Sequence, residues 1–184
     1  FSANDRARIF GKALSQKRNP FSTSAVRPGA LTFPPRQVAR IQESLATPLH
    51  DEELRLTLLR WLESMPDGQL AADDIACASV EHILPQRPAA DSQWLKDFPG
   101  EEERFSACHS IGNLALMDYV ENRKITNLDF HLKLPVIREQ SKKYRTLAGI
   151  ADKTGWRTGE IRARAGQMIE LACRHLNVPQ PPRT

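Results

Sequence analysis

One short apolar run that ends at a proline constrains the fold of this chain most. Residues 78–86 read Ala-Ser-Val-Glu-His-Ile-Leu-Pro-Gln and place an adjacent carboxylate and imidazole inside an apolar stretch. The apolar run from Ile75 to Leu84 is too short for a stable helix, and Pro85 cannot donate a backbone hydrogen bond. This pattern predicts a β-strand over 75–84 that closes in a turn at the proline.

A second apolar run predicts a second strand. Residues 111–117 read Ile-Gly-Asn-Leu-Ala-Leu-Met, and Gly112 and Asn113 interrupt the apolar pattern near its start. A helix over 119–126 is predicted directly after this strand, because the Asp118 side chain can accept hydrogen bonds from a first helical turn. Such a helix would carry Asn122 on its first turns.

Apolar residues at helical spacing cover most of the remaining chain. Within residues 51–65, for example, Leu54, Leu58, Leu62 and Met65 repeat at intervals of three or four residues. Residues 130–135 are predicted to be an irregular link. The fold class is therefore predicted to be mainly helical α+β, with further helices at Pro35 to about Ala46, Gln93–Asp97, Glu101–Cys108, near 136–150 and 158–177, the last of which Thr158 can cap.

Length and composition indicate a single globular domain. At 184 residues the chain is long enough for one hydrophobic core but short for two. No run approaches the roughly 18 apolar residues of a membrane helix, and the three scattered cysteines give no disulfide framework. We therefore expect no membrane partner and a cytoplasmic location.

Three parts are predicted along the chain. A basic, partly helical segment over 1–34, with a short helix near 4–15, is expected to continue from a missing upstream region, because the sequence opens at Phe1 with no signal-peptide pattern. The domain itself is expected over 35–177. Residues 178–184 are rich in proline and are expected to form a disordered tail.

Charge is distributed unevenly along the chain. The formal net charge is +4, but residues 1–50 carry +6, residues 51–110 carry −8 and residues 111–184 carry +6. Basic blocks attract a polyanion such as DNA, and an acidic cluster near a reactive side chain can recruit a hard cation. A simpler interpretation is that many of these charges only solvate helix faces.

The adjacent Glu81 and His82 suit hydrolysis of a phosphodiester bond. That reaction needs a base for water and an electrophile for the phosphate charge. A histidine with the ordinary pKa of about 6.5 is largely neutral near pH 7 and can serve as the base, and a divalent metal can serve as the electrophile. Neighbouring strand residues point to opposite faces, so the turn at Pro85 or a bulge must bring the two side chains to one site.

An ordered set of motifs extends over roughly residues 50–177. It consists of the runs 80–86 and 109–116, Asn122 with Phe130 and Lys133, and a closing signature of Trp156, Ile161 and Arg164. Taken together, these motifs resemble the carboxyl-terminal HNH-type nuclease domain of GmrSD-like modification-dependent restriction proteins, which act in phage defence. The resemblance implies a ββα-metal hairpin embedded in a helical domain, and cutting or nicking of DNA with one divalent metal, Mg²⁺ or Mn²⁺.

The resemblance also implies roles for individual residues. His82 would activate water as the general base, and Asn113 would brace the hairpin around it by side-chain hydrogen bonds. Glu81 and Asn122 would ligate the metal through side-chain oxygens, although many HNH enzymes have aspartate where this chain has Glu81. The residues expected to meet phosphate are Arg123, Lys124, His109 and Lys133.

Each of these roles has a simpler alternative. His82 can be an ordinary core or surface histidine, and the two asparagines can be a turn former and a solvated helix residue. His109 can pack beneath the hairpin instead of touching phosphate. A zinc site that combines these histidines with Cys77 or Cys108 is disfavoured, because no pair has the spacing of zinc ligands.

The function that the resemblance favours is a metal-dependent DNA endonuclease or nickase, the effector of a prokaryotic anti-phage protein. A sensor for modified DNA, with its own nucleotide hydrolysis, would lie upstream or in a partner chain, since this chain contains no GxxxxGKS/T loop. Two alternatives stay open from the sequence alone. They are a catalytically silent nucleic-acid-binding module and an RNA-directed nuclease.

Overall fold

The computed structural model describes residues 35–65 and 72–176 of the chain. The segment 1–34, with the helix predicted near 4–15, and the predicted tail over 178–184 lie outside the described residues. Within the described part, no helix is long and apolar enough to span a membrane.

Helices and two short strands make up the described chain, which confirms the predicted mainly helical α+β class. Most helices begin and end within a few residues of the predicted bounds. In chain order the elements are α1 (Pro35–Ala46), α2 (Glu52–Glu63), α3 (Ala72–Cys77), β1 (Ala78–His82), α4 (Gln93–Asp97), α5 (Glu101–Cys108), a 3₁₀ turn (Ile111–Asn113), β2 (Leu114–Asp118), α6 (Tyr119–Ile125), α7 (Phe130–Gln140), α8 (Arg145–Ala151) and α9 (Thr158–Leu176).

The two strands form an antiparallel sheet, from Ala78 opposite Asp118 to His82 opposite Leu114. The apolar side chains of β2 are all buried, and α6 follows β2 directly and packs on β1. The predicted strand over 75–84 is wrong at both ends, because α3 ends only where β1 starts and β1 itself ends at His82. The five residues of β2 pair with five residues of β1, so the residues before Ala78 have no strand partner.

The second strand also begins later than predicted, because residues 111–113 form a 3₁₀ turn. The hydroxyl of Ser110 accepts a hydrogen bond from the Gly112 amide at 3.2 Å. The Ser110 carbonyl accepts one from the Asn113 amide at 2.9 Å. This local bonding pattern competes with strand pairing and closes the chain into a tight turn before β2.

Residues 130–135 are predicted to be an irregular link, with one helix near 136–150 after it. Both predictions are wrong, because α7 already begins at Phe130 and ends at Gln140, and α8 is a separate helix over Arg145–Ala151. The buried residues of α7 are Phe130, Lys133, Ile137 and Gln140, which repeat at helical spacing and give the helix an inward face. Pro135 lies on the exposed side, where the carbonyl group that its ring leaves without a donor can be hydrated. Packing of the inward face therefore outweighs the proline.

Two predicted helix caps are replaced by other contacts. Asp118 occupies the position before α6 but makes no cap hydrogen bond, because its carboxylate accepts from Lys143 and Tyr144 instead. Thr158 is already the first residue of α9, and its hydroxyl donates to Glu103 at 2.8 Å. Both side chains thus join different elements rather than closing their own helix ends.

Candidate active site

An open groove lies at the end of β1, where the strand, the turn after it and α6 meet. Its volume is about 260 Å³. Neighbouring strand residues point to opposite faces, so a groove that takes in both Glu81 and His82 wraps around the strand end. The residues that line it are Val80, Glu81, His82, Pro85, Gln86, Arg87, Asn122, Thr126 and Asn127.

His82 is the half-buried imidazole of this groove. The side-chain nitrogen of Gln86 lies 3.1 Å from Nε2 and 3.3 Å from Nδ1 of the ring. Burial, together with the charges of Arg55, His109 and Lys133, lowers the pKa of His82 to about 3. The ring is therefore neutral at physiological pH, and one of its nitrogens carries a lone pair that can accept a proton.

Glu81 is held by a buried lysine. Lys133 on α7 is fully buried, and its Nζ lies 2.5 Å from Glu81 Oε1 and 2.9 Å from the carbonyl oxygen of His82. Burial raises the pKa of the Glu81 carboxyl, while the positive charge of Lys133 opposes that rise. A single ammonium group thus contacts both residues of the Glu-His pair and fixes the backbone that joins them.

Asn122 ties α6 to β1. Its side-chain nitrogen donates to the Ser79 hydroxyl at 3.0 Å and to the Val80 carbonyl at 2.9 Å. These two bonds fix the orientation of the amide group, which also lines the groove. Among the described residues no donor reaches its side-chain oxygen, so this atom is left for a ligand.

Asn113 fixes the turn that follows β1. It is fully buried, and its side-chain oxygen accepts from the Leu84 amide at 2.8 Å and from Trp156 Nε1 at 3.0 Å. Its side-chain nitrogen donates to the carbonyls of Leu84 and Cys108, both at 2.9 Å. The amide group thereby makes every hydrogen bond that it can, and it joins three parts of the chain next to His82.

The closing helix α9 holds the 3₁₀ turn from its other side. The guanidinium of Arg164 is buried and donates to the carbonyls of Ile111, Gly112 and Leu114. A β-carbon on Gly112 would lie 2.0 Å from the carbonyl oxygen of Ile161, so only glycine fits. Burial lowers the pKa of Arg164 to about 9, which still leaves the guanidinium charged at neutral pH.

A second cluster of polar side chains lies beside His82. The ring of His109 meets the His82 ring edge-on, with 5.7 Å between ring centroids, and Nη1 of Arg55 lies 3.2 Å from His109 Nδ1. Burial, and then the charges of His50 and Arg55, lower the pKa of His109 to about 4. Ligand atoms of His82, Cys108 and His109 lie within 4.8 Å of one another, so these three side chains form a candidate metal group.

Comparison with known protein families matches residues 40–171 to the C-terminal domain of GmrSD restriction endonucleases. The chain belongs to that family. The corresponding comparisons with curated proteins and with solved structures gave no match. The family resemblance predicted from the motifs is confirmed, and the groove is therefore a feature of a GmrSD restriction endonuclease C-terminal domain.

In this GmrSD C-terminal domain, the three residues of the closing signature all contact the 3₁₀ turn over residues 111–113. Trp156 donates to the Asn113 side chain, the backbone of Ile161 abuts Gly112, and Arg164 binds the carbonyls around it. All three residues thus support the segment that carries Asn113. They lie far along the chain from the Glu-His pair and act on it through this turn.

Among the described residues, the group of His82, Cys108 and His109 fits a cation less well than the pair that the family resemblance implies, Glu81 and Asn122. Arg55 can only donate, so Nδ1 of His109 accepts and the ring proton lies on Nε2, which leaves that ring without a free ligand atom. Burial raises the pKa of the Cys108 thiol to about 12, whereas a metal takes the thiolate. Glu81 and Asn122 instead offer carboxylate and amide oxygens, which hard divalent cations prefer.

The phosphate-binding residues predicted on α6 lie outside the groove lining. Arg123 and Lys124 are both exposed. The Arg123 guanidinium lies 5.8 Å from the centre of the Tyr119 ring, and Lys124 pairs with Glu121 at 2.5 Å. Their contact with phosphate stays a prediction, and it would take place beside the groove.

The phosphate role predicted for Lys133 does not agree with its position. Its ammonium is fully buried and is shared between Glu81 and a backbone carbonyl, because α7 turns residue 133 inward. His109 is only 8% exposed and does not line the groove, and it packs against the rings of His50 and Phe105. The arrangement agrees with the alternative in which His109 packs beneath the hairpin.

Arg87 is a groove residue that the sequence interpretation missed. It is exposed and lines the groove together with Gln86. Both residues stand between Pro85 and Pro88, whose rings restrict the backbone at either end of this turn. The sequence signal that could have identified Arg87 is a positively charged residue between two prolines, a few positions after the Glu-His pair.

Proposed function

We propose that this domain is a metal-dependent DNA endonuclease or nickase of the ββα-metal type, the effector of a prokaryotic anti-phage restriction protein. One observation carries the proposal: His82, Glu81, Asn122 and Arg87 all line the same open groove. Together they offer a proton acceptor, two hard oxygen ligands and a guanidinium for phosphate. Membership of a restriction endonuclease family supports the same function.

Glu81 and Asn122 are the residues that would hold Mg²⁺ or Mn²⁺. When bound there, such a metal neutralises charge on the phosphate and on the leaving oxygen. The fit rests on the donor set: the Glu81 carboxylate lines the groove, and the Asn122 amide nitrogen is tied to β1. The Asn122 oxygen is consequently the end of the amide that can take a ligand.

His82 would accept the proton of the attacking water. Its ring is neutral and lines the groove, so it can take up that proton without first losing one. The pKa of His82 rises when the negative charge of a phosphate comes close, which makes the ring a better base in the complex than in the empty groove. Asn113 and Lys133 act on His82 indirectly, since they hold the turn and the carbonyl group beside it.

The phosphodiester would contact Arg87 inside the groove, with Arg123 and Lys124 beside it. Contacts of this kind hold the backbone of a nucleic acid and carry no base sequence. Recognition of modified DNA is therefore assigned to a sensor in an upstream region or a partner chain. That sensor would hydrolyse a nucleotide of its own. The whole system would act in the cytoplasm. One groove of this kind cuts one strand, so a single domain is expected to nick.

The test is relaxation of supercoiled plasmid with Mg²⁺ or Mn²⁺ and with EDTA. The wild-type chain is expected to nick only with the metal, and His82→Ala is expected to lose at least about 100-fold in rate, because a positioned base contributes that much. His131→Ala is the matched control, since His131 is an exposed histidine on α7. The control is expected to nick like the wild type.

Other outcomes would favour the alternative functions. Plasmid that is bound but never nicked under any metal would favour a silent nucleic-acid-binding module. Faster cleavage of an RNA competitor than of plasmid would favour an RNA-directed nuclease. Full activity of His82→Ala would remove His82 from the mechanism.

A further inference from the structure

The charges of the described residues around the groove do not form a preformed cation site. Among the described residues that line the groove, Glu81 contributes the only carboxylate, and the buried ammonium of Lys133 already matches its charge. Arg87 adds a second positive charge at the wall of the groove. Among the described groups that line the groove or contact its carboxylate, one charge is therefore negative and two are positive, and they flank the place where Glu81 and Asn122 would bind a metal.

A divalent cation that enters this groove alone meets repulsion from both cationic side chains. The repulsion from Lys133 is poorly screened, because that ammonium is fully buried. A bound phosphodiester turns this net repulsion of the metal into net attraction, since its negative charge can contact the metal and Arg87 at the same time. The charges thus disfavour the metal in the free domain and favour it in the complex with DNA.

We propose that the metal and the DNA bind cooperatively, and that Lys133 keeps the metal affinity of the DNA-free domain low. This inference rests on the proposed function, because it takes Glu81 and Asn122 as the metal ligands. Coupling of this kind is reciprocal, so the metal strengthens DNA binding by the same factor by which DNA strengthens metal binding. The domain would then assemble its catalytic centre only on the substrate.

The coupling is measured by titrating Mn²⁺ into the chain and following the free ion by electron paramagnetic resonance. His82→Ala is used so that a bound duplex stays intact, and the duplex alone is titrated to subtract its own Mn²⁺ binding. We expect the Mn²⁺ dissociation constant to fall at least about tenfold when a short duplex is present. The affinity for the duplex should rise by the same factor when Mn²⁺ is added.

Substitution of Lys133 tests the residue that sets the low affinity. At a pH where Glu81 stays ionised in both proteins, Lys133→Met in the DNA-free chain is expected to bind Mn²⁺ about tenfold more tightly, because a like charge beside the ligand is removed. Lys142→Met is the matched control, since the Lys142 side chain is 72% exposed and lies in the turn just after α7. Its Mn²⁺ affinity is expected to equal that of the unsubstituted chain.

The outcomes separate this inference from the function on which it rests. Equal Mn²⁺ affinity with and without duplex would overturn the inference and leave the nuclease proposal standing, and this comparison needs no change at Lys133. Absence of any saturable Mn²⁺ site in either state, or a site that Glu81→Gln leaves unchanged, would contradict the assigned metal ligands themselves.

Discussion

Asn113 is the single side chain on which the geometry of the groove most depends. Its amide group reaches the backbone of Leu84, the carbonyl of Cys108 and the indole of Trp156 without any contact with solvent. A buried amide with all its hydrogen bonds made specifies one arrangement of the groups around it. The turn beside His82 therefore takes its shape from a residue that lies outside the groove.

Replacement of Asn113 by alanine is expected to lower the free energy of unfolding by about 3 kcal/mol, because the Leu84 amide and the Trp156 indole lose their acceptor inside the core. Urea unfolding followed by tryptophan fluorescence measures this change. Asn127→Ala is the control, since Asn127 is an exposed asparagine, and we expect it to differ from the wild type by no more than about 0.5 kcal/mol. A protein with Asn113→Ala that is as stable as the wild type would contradict the bracing role.

The motifs could predict the residues of the groove better than the contacts beneath it. The Glu81–His82 pair and Asn122 stand in recognisable positions of the sequence and all line the groove. The contact from Lys133 to Glu81 could not be predicted, because it joins residues distant in the chain and depends on the inward face of α7. Proline disfavours the interior of a helix, so the presence of Pro135 led the sequence pattern to predict an irregular link in place of α7.

At the scale of elements, α9 and the 3₁₀ turn are the pair whose packing positions the hairpin. The helix backbone approaches Gly112 so closely that a β-carbon would lie 2.0 Å from the Ile161 carbonyl oxygen and 2.9 Å from the Ala165 nitrogen. Both of these atoms belong to the backbone, which cannot move aside as a flexible side chain can. A larger residue at 112 therefore separates the helix from the turn.

Gly112→Ala is accordingly expected to lower the free energy of unfolding by about 3 kcal/mol, the cost of forcing a methyl group into a close-packed contact. Gly155→Ala is the matched control, because a β-carbon there would meet no atom within 4 Å. The control is expected to change stability by less than about 1 kcal/mol. Equal effects of the two substitutions in thermal unfolding would show that the contact with α9 does not govern stability.

Most helix bounds could be predicted from apolar spacing, those of α3, α7 and α8 excepted, whereas the strand bounds could not. A strand needs a partner, and the register of β1 on β2 sets where both begin. The apolar run from Ile75 shows no break at Ala78, although the structure changes there from helix to strand. The 3₁₀ turn at residues 111–113 likewise depends on hydrogen bonds from Ser110 that a pattern of apolar residues does not record.

Across the whole molecule, Asp118 joins the end of β2 to the segment between α7 and α8. Its carboxylate accepts from Lys143 at 2.8 Å, from Tyr144 at 2.7 Å and from Gln140 at 3.1 Å. Burial alone would raise the pKa of Asp118, but these hydrogen bonds outweigh it and hold the pKa below the ordinary 3.8. The ionised carboxylate thus contributes to stability wherever it stays charged.

The direction of the Asp118 pKa shift determines how this contribution to stability depends on pH. A lowered pKa in the folded state gives stability that is present above the ordinary value and is lost as the pH falls through the folded one. At pH 7, Asp118→Asn is expected to lower the free energy of unfolding by about 1 kcal/mol, a modest value because the site is partly exposed. Urea unfolding in acid should show the difference shrinking, while Asp152→Asn, at an exposed aspartate, should show none at either pH. A stability difference between Asp118→Asn and the wild type that grows in acid would contradict a lowered pKa of Asp118 in the folded protein.

The central claim is that His82 and Asn122 act together in one groove, and single-turnover nicking of plasmid at saturating Mn²⁺ tests it most directly. His82→Ala and Asn122→Ala are each expected to lose at least about 100-fold in rate. Ser79→Ala, which removes one hydrogen bond of Asn122 and keeps its oxygen, should stay near the wild-type rate. Because groups that act as a unit are not additive, the double variant should be no slower than the slower single one. Multiplied losses in the double variant, or a wild-type rate for Asn122→Ala, would contradict the account.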